Sequence, residues 1–74
     1  MEVYQRIKNI REDSEYTQKE IADLLKTTQP QYNKYERNVQ EIPVRHVITL
    51  AKFYNVSADY ILGLTNEKKQ FPKS

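Results

Sequence analysis

The sequence predicts an all-α domain of five short helices, and three observations carry that prediction. Apolar residues recur at helical spacing through most of the chain. Helix-start chemistry appears repeatedly, at Thr17, Thr28, Pro43 and Ser57. With 74 residues and no cysteine, the chain has room for one small core and no disulfide or thiolate-metal staple to support it.

The first helix is predicted over residues 2–13. Val3, Tyr4, Ile7, Ile10 and Arg11 share one stripe, so Arg11 is a lone charge on an apolar face and needs a buried partner. Residues 12–15 lose the pattern and read as a polar connection. In the second helix, about 17–25, Thr17 and Glu20 form a capping box: the hydroxyl accepts from the third N–H and the carboxylate returns to the first. Ile21, Ala22 and Leu25 face inward, with Leu24 at the margin. Lys26-Thr27 is all that separates this helix from the next, about 29–37, where Thr28-Gln29-Pro30-Gln31 repeats the capping device with Gln as the returning group. Pro30 sits in the first turn, where a missing N–H costs nothing.

The third helix has an unusual surface. At one hundred degrees per residue, Tyr32, Tyr35 and Glu36 fall on one side. Pro30, Asn33, Lys34 and Arg37 fall on the other, with Gln29 and Gln31 at the flanks. That outer face is rich in hydrogen-bonding groups and holds no carboxylate, whereas a merely solvated face usually mixes in Glu or Asp.

Asn38 follows where the helix should stop, and Asn tolerates the left-handed conformation of a C-terminal cap. Residues 39–42 read as a loop. Pro43 opens a fourth helix over 44–54, apolar on more than one side and therefore either central or exposed to a partner. His46 reads as a surface or boundary residue. Ser57 caps a fifth helix, 58–62, with Asp59 near its positive end, and Gly63 ends it. Phe53, Ile48 and Ile61 are either core or part of a dimer patch. Residues 1–64 are expected to form the domain and 65–74 a flexible tail.

The net charge of +2 comes from the last ten residues, since residues 1–64 hold nine basic and nine acidic side chains. Bulk charge therefore does not argue for nucleic acid. Its distribution does so mildly, because residues 26–45 carry Lys26, Lys34, Arg37 and Arg45 against Glu36 and Glu41. A single His, a single Gly and no Cys leave no metal constellation, catalytic triad or phosphate-cradling glycine loop. No enzymatic activity, cofactor or metal is expected. The absence of cysteine, signal peptide and membrane-length apolar run predicts a cytoplasmic protein.

Two capped helix starts separated by a two-residue turn make a helix-turn-helix, unless the pair is an ordinary helical hairpin in a small bundle. Further motifs bear on the choice. Thr-Gln-Lys-Glu-Ile-Ala-Asp-Leu-Leu (17–25), Tyr-Asn-Lys-Tyr-Glu-Arg-Asn (32–38), Glu-Ile-Pro (41–43) and Leu-Ala-Lys-Phe-Tyr-Asn-Val-Ser-Ala-Asp-Tyr-Ile-Leu-Gly (50–63) together resemble the lambda- and Cro-like repressor helix-turn-helix family, also called the XRE family. The last stretch is similar to the subgroup common in Gram-positive bacteria and their phages.

The resemblance implies a double-stranded DNA-binding regulator, a repressor acting as a homodimer on a pseudo-palindromic operator. It implies that Gln29, Pro30, Gln31, Asn33 and Lys34 face base edges in the major groove. Thr17 and Gln18, at the start of the second helix, and Arg37, Asn38 and Arg45 would hold phosphates. Arg11 and Glu36 match the family's buried ion pair. Two departures stand out. Asn38 replaces the usual Gly, and Pro30 replaces a polar base reader and can offer only apolar contact, for example to a thymine methyl. Some members of the family instead serve as antitoxins or are bound by a protein antagonist.

Overall fold

The computed structural model describes residues 2–65, and five helices account for most of them: α1 (Val3–Asp13), α2 (Gln18–Leu24), α3 (Gln29–Glu36), α4 (Val44–Tyr54) and α5 (Ala58–Ile61). Each boundary falls within one or two residues of its expected place. The expected tail lies outside the described residues except for Thr65.

The predicted caps set these boundaries. Glu20 N–H donates to Thr17 Oγ1 at 3.1 Å and Thr17 N–H donates to Glu20 Oε1 at 2.9 Å, completing the first capping box. Tyr60 N–H donates to Ser57 Oγ at 3.0 Å, starting α5. The second box is only half formed. Gln31 N–H reaches Thr28 Oγ1 at 3.2 Å, but the Gln31 side chain donates to Gln40 Oε1 at 2.9 Å instead of returning to the cap. Pro43 lies one residue before α4, with φ −63° and an extended ψ of 149°, and makes no side-chain cap.

Among the described residues, four with a Cβ adopt the left-handed conformation where a helix ends or the chain turns: Glu15, Lys26, Asn38 and Asn55, with φ between 58° and 63°. The two asparagines suit that geometry. Glu15 and Lys26 do not, and left-handed backbone costs such residues roughly 1–2 kcal/mol each. The Lys26 turn is retained because its neighbours close it, with Lys26 N–H bonded to Asp23 O and Thr27 N–H to Ala22 O.

One core gathers residues from every helix. Ile7 and Ile10 of α1, Ile21 and Ala22 of α2, Tyr32 and Tyr35 of α3, Val47, Leu50 and Ala51 of α4, and Tyr60 and Ile61 of α5 are all buried. Each fully buried aliphatic side chain contributes about 1.5–3 kcal/mol relative to exposure. Helix α3 packs on α1 and α2, and α5 packs on α1 and α4.

Of the three residues left between core and dimer patch, Ile61 is wholly buried in the core, while Ile48 and Phe53 are exposed, as are Leu62 and Leu64. His46 is buried rather than on the surface, because its ring packs against Tyr35 with centroids 6.0 Å apart. The sequence also hides a second inward cation. Arg6 is buried with its guanidinium 4.1 Å from the centre of the Tyr60 ring, a cation–π contact joining α1 to α5.

Candidate nucleic-acid interface

A buried ion pair underlies the candidate surface. Arg11 and Glu36 meet as expected, in a bidentate pair: Arg11 Nε donates to Glu36 Oε2 at 2.7 Å and Arg11 Nη2 donates to Glu36 Oε1 at 3.0 Å. Arg11 Nη1 also donates to the Tyr16 carbonyl at 2.8 Å, so one guanidinium ties α1 to α3 and to the α1–α2 connection. The Glu36 side chain is only 2% exposed. Burial pushes its carboxyl up, but the bonds from Arg11 and the Gln18 amide, with the Tyr32 hydroxyl nearby, outweigh that and hold it below the usual carboxylate range. The flanking Tyr32 and Tyr54 phenols are driven well above theirs, chiefly by burial. Glu36 is therefore the local anion, and both phenols stay neutral.

From that pair a chain of amides runs outward. Gln18 Nε2 donates to Glu36 Oε1 at 3.1 Å, and Asn33 Nδ2 donates to Gln18 Oε1 at 3.1 Å. The first residue of α2 is thereby fastened to both the inner and the outer side of α3. Gln18, expected at a phosphate, has its side-chain oxygen and one N–H engaged, which leaves its second amide N–H and the backbone N–H groups of the first turn of α2 for an anion. The Thr17 hydroxyl accepts from Glu20 N–H as the cap and keeps its own O–H to donate.

The remaining expected residues lie along the outer side of α3 and its flanks. Gln29, Pro30 and Lys34 are exposed, and Gln31 and Asn33 are half-buried. Arg37 and Asn38 follow at the C-terminal end, both exposed, and Arg45 is exposed on the first turn of α4. None of the five α3 residues is acidic. The surface thus offers amide donors and acceptors, one ammonium group and one apolar ring, with further cations at its edges. Gln40 belongs to it as well. Its carbonyl holds the Gln31 amide across the turn after α3, a role that a loop glutamine nine residues away gave no sequence signal for.

A helix-turn-helix surface of this build defines a class of protein, and comparison of sequences agrees. A family model described as helix-turn-helix matches residues 7–61. The chain is similar to three regulators of Bacillus subtilis (strain 168). It is 34% identical over 70 residues to the HTH-type transcriptional regulator ImmR, covering 95% of this chain and 55% of ImmR. It is 33% identical over 63 residues to the uncharacterized HTH-type transcriptional regulator YobD, covering 85% of this chain and 56% of YobD. It is 35% identical over 65 residues to the uncharacterized HTH-type transcriptional regulator YqaE, covering 86% of this chain and 56% of YqaE. The chain thus spans little more than half the length of these relatives. No solved structure matches it. The chain belongs to the XRE-type helix-turn-helix family of DNA-binding domains. That family is not one of enzymes, in keeping with the expectation from the residues. No helix among the described residues is long and apolar enough to cross a membrane.

Proposed function

We propose that this domain is a sequence-specific transcriptional regulator, acting as a repressor, that inserts α3 into the major groove of double-stranded DNA. One observation carries the reading. The outer face of α3 presents Gln29, Gln31, Asn33 and Lys34 without a carboxylate, on a helix fastened through Gln18 to a buried ion pair. Gln and Asn amides pair bidentately with adenine, and a Lys ammonium donates to guanine acceptors. Pro30 adds apolar contact. Arg37, Asn38 and Arg45, with the first turn of α2 at Thr17 and Gln18, sit where phosphates on either side of the groove would pass. The Bacillus subtilis relatives, all named as transcriptional regulators, support the same reading.

One short helix makes a small contact, and a domain with balanced charge over residues 1–64 gains little from nonspecific attraction. Two copies double the base contacts, and the second contact is effectively intramolecular. The operator is therefore pseudo-palindromic and the bound species a homodimer, with Ile48, Phe53, Leu62 and Leu64 among the exposed apolar residues available for its interface.

Selection of bound fragments from a random duplex pool tests the reading. It should return two half-sites related by a two-fold axis, about 34–36 Å apart centre to centre. On that duplex Gln31→Ala and Lys34→Ala should each lose about 1–3 kcal/mol of binding while melting as the parent does. Wild-type affinity in both variants would remove α3 as the reading helix.

A further inference from the structure

We propose that the cleft between the α2–α3 turn and the first two turns of α4 is a phosphate site, and that it carries the duplex contact from α3 onto the DNA backbone, with His46 taking up a proton as the duplex binds. The proposal rests on the DNA reading above, which gives Arg45 a phosphate, and extends it to Lys26, Thr27 and His46, to which that reading assigns no role. The cleft holds about 530 Å³ and is lined by Lys26, Thr27, Arg45, His46 and Thr49 beside two leucines. No lining residue is acidic, on a domain whose charge is otherwise balanced. The next residue after Thr27 is Thr28, the N-cap of α3, so the cleft flanks the end of that helix from which the base-facing residues begin.

Three details point to an anion rather than a plain solvated hollow. Lys26 and Arg45 approach from different elements, and neither makes an ion pair among the described residues. Thr27 has a hydroxyl to donate, whereas the Thr49 hydroxyl is committed to the Arg45 carbonyl at 3.0 Å. His46 is the third detail. It is only 8% exposed and has no hydrogen-bond partner among the described residues, yet its ring lines the cleft. With no partner inside the fold, the ring nitrogens are open to the cleft, where an incoming phosphate oxygen can accept from them.

The groups facing His46 are Arg45 on its own helix, Lys26 on the turn and Tyr35 on α3, with no carboxylate among them. Burial, and then the Arg45 charge, hold the imidazole below its usual range, so it is neutral in the free domain at neutral pH. A phosphodiester in the cleft reverses that balance. The ring takes a proton from solvent and donates it as a charge-assisted hydrogen bond to the phosphate oxygen.

The test measures duplex affinity against pH and salt, and follows the His46 ring by NMR in the free and duplex-bound protein. His46 is the only histidine in the chain, so the ring signals are unambiguous. We expect its protonation to move to higher pH on the duplex, with affinity rising about tenfold from pH 8 to pH 5.5 for each unit of that movement. His46→Gln should abolish this pH dependence. Lys26→Ala should lower the slope of log affinity against log salt by about one and leave the selected sequence unchanged. An unmoved His46 titration, an undiminished pH dependence in His46→Gln, or an unchanged salt slope in Lys26→Ala would overturn the proposal. So would a His46 ring that responds to inorganic phosphate alone and not to duplex, which would assign the cleft to a free anion. A wild-type domain that selects no duplex overturns both this proposal and the reading beneath it, whereas one that binds duplex with His46 unmoved overturns this proposal alone.

Discussion

Glu36 is the residue on which the candidate surface depends most. It accepts from Arg11 twice and from Gln18 once, and its side chain is almost wholly buried. The net value of such a pair against an apolar replacement is small, because both ions lose hydration. Removing one partner is a different matter, since the other is left charged and enclosed. Arg11→Met should destabilise the domain by about 3–5 kcal/mol by that mechanism. Glu36→Gln should cost less, because the amide oxygen can still accept from Arg11, and should be measurable by urea denaturation where Arg11→Met leaves no folded baseline. Equal and small losses in the two variants would show that the pair contributes little. At this scale the sequence was partly legible. Arg11 and Glu36 stood out because each interrupts an apolar stripe. Arg6 did not, because its partner Tyr60 lies 54 residues away and its own position on α1 looked polar. His46 was missed for a related reason, as the Tyr35 ring that packs against it lies on a different helix, α3.

Among the elements, α3 is short and its intrinsic stability is slight. Isolated helices of eight residues do not persist in water. It is maintained by Tyr32 and Tyr35 in the core, by Pro30 in the first turn, and by the Thr28 cap. Thr28→Ala should therefore cost about 1 kcal/mol, seen as a lowered melting temperature. Thr17→Ala should cost at least as much, because its cap is reciprocated by Glu20 whereas that of Thr28 is not. The reverse order would mean that the half-formed box is the stronger one. Helix starts were the most legible part of the fold, since each is written in three or four adjacent residues. The left-handed turns at Glu15 and Lys26 were not, because neither residue type favours that backbone and only the surrounding hydrogen bonds impose it. Gln31 shows the same limit. Its spacing from Thr28 fits a capping box, but Gln40 from the following loop captures the amide first.

Over the whole molecule, stability should fall on the acid side in two stages. His46 is held below its usual range in the folded state, so its contribution is full above about pH 6.5 and is lost as pH falls through the lower folded value. Glu36 is also held below its usual range, so its contribution is full above the unfolded carboxylate value and is lost as pH falls through the folded one. Urea midpoints measured from pH 8 to pH 3 should decline first with His46 and then more steeply with Glu36. In His46→Gln the first decline should vanish and the second remain. A midpoint that rises on acidification would contradict both assignments.

Glu36 also has a directional effect that reaches the surface. A carboxylate accepts and never donates, so Gln18 must turn its NH2 group inward, and Gln18 does so. Its carbonyl then faces Asn33, which must answer with its own NH2. What Asn33 has left to show a ligand is a carbonyl oxygen and a single N–H, in a fixed left-to-right order. An unconstrained surface amide presents two faces of nearly equal energy and decides between them only on contact. Here the choice is made two side chains away by a buried negative charge, before any ligand arrives. The chain thus works as a one-way grammar: the polarity of the outermost amide is spelled from the inside, and protonating or neutralising Glu36 would let every word in it be read backwards.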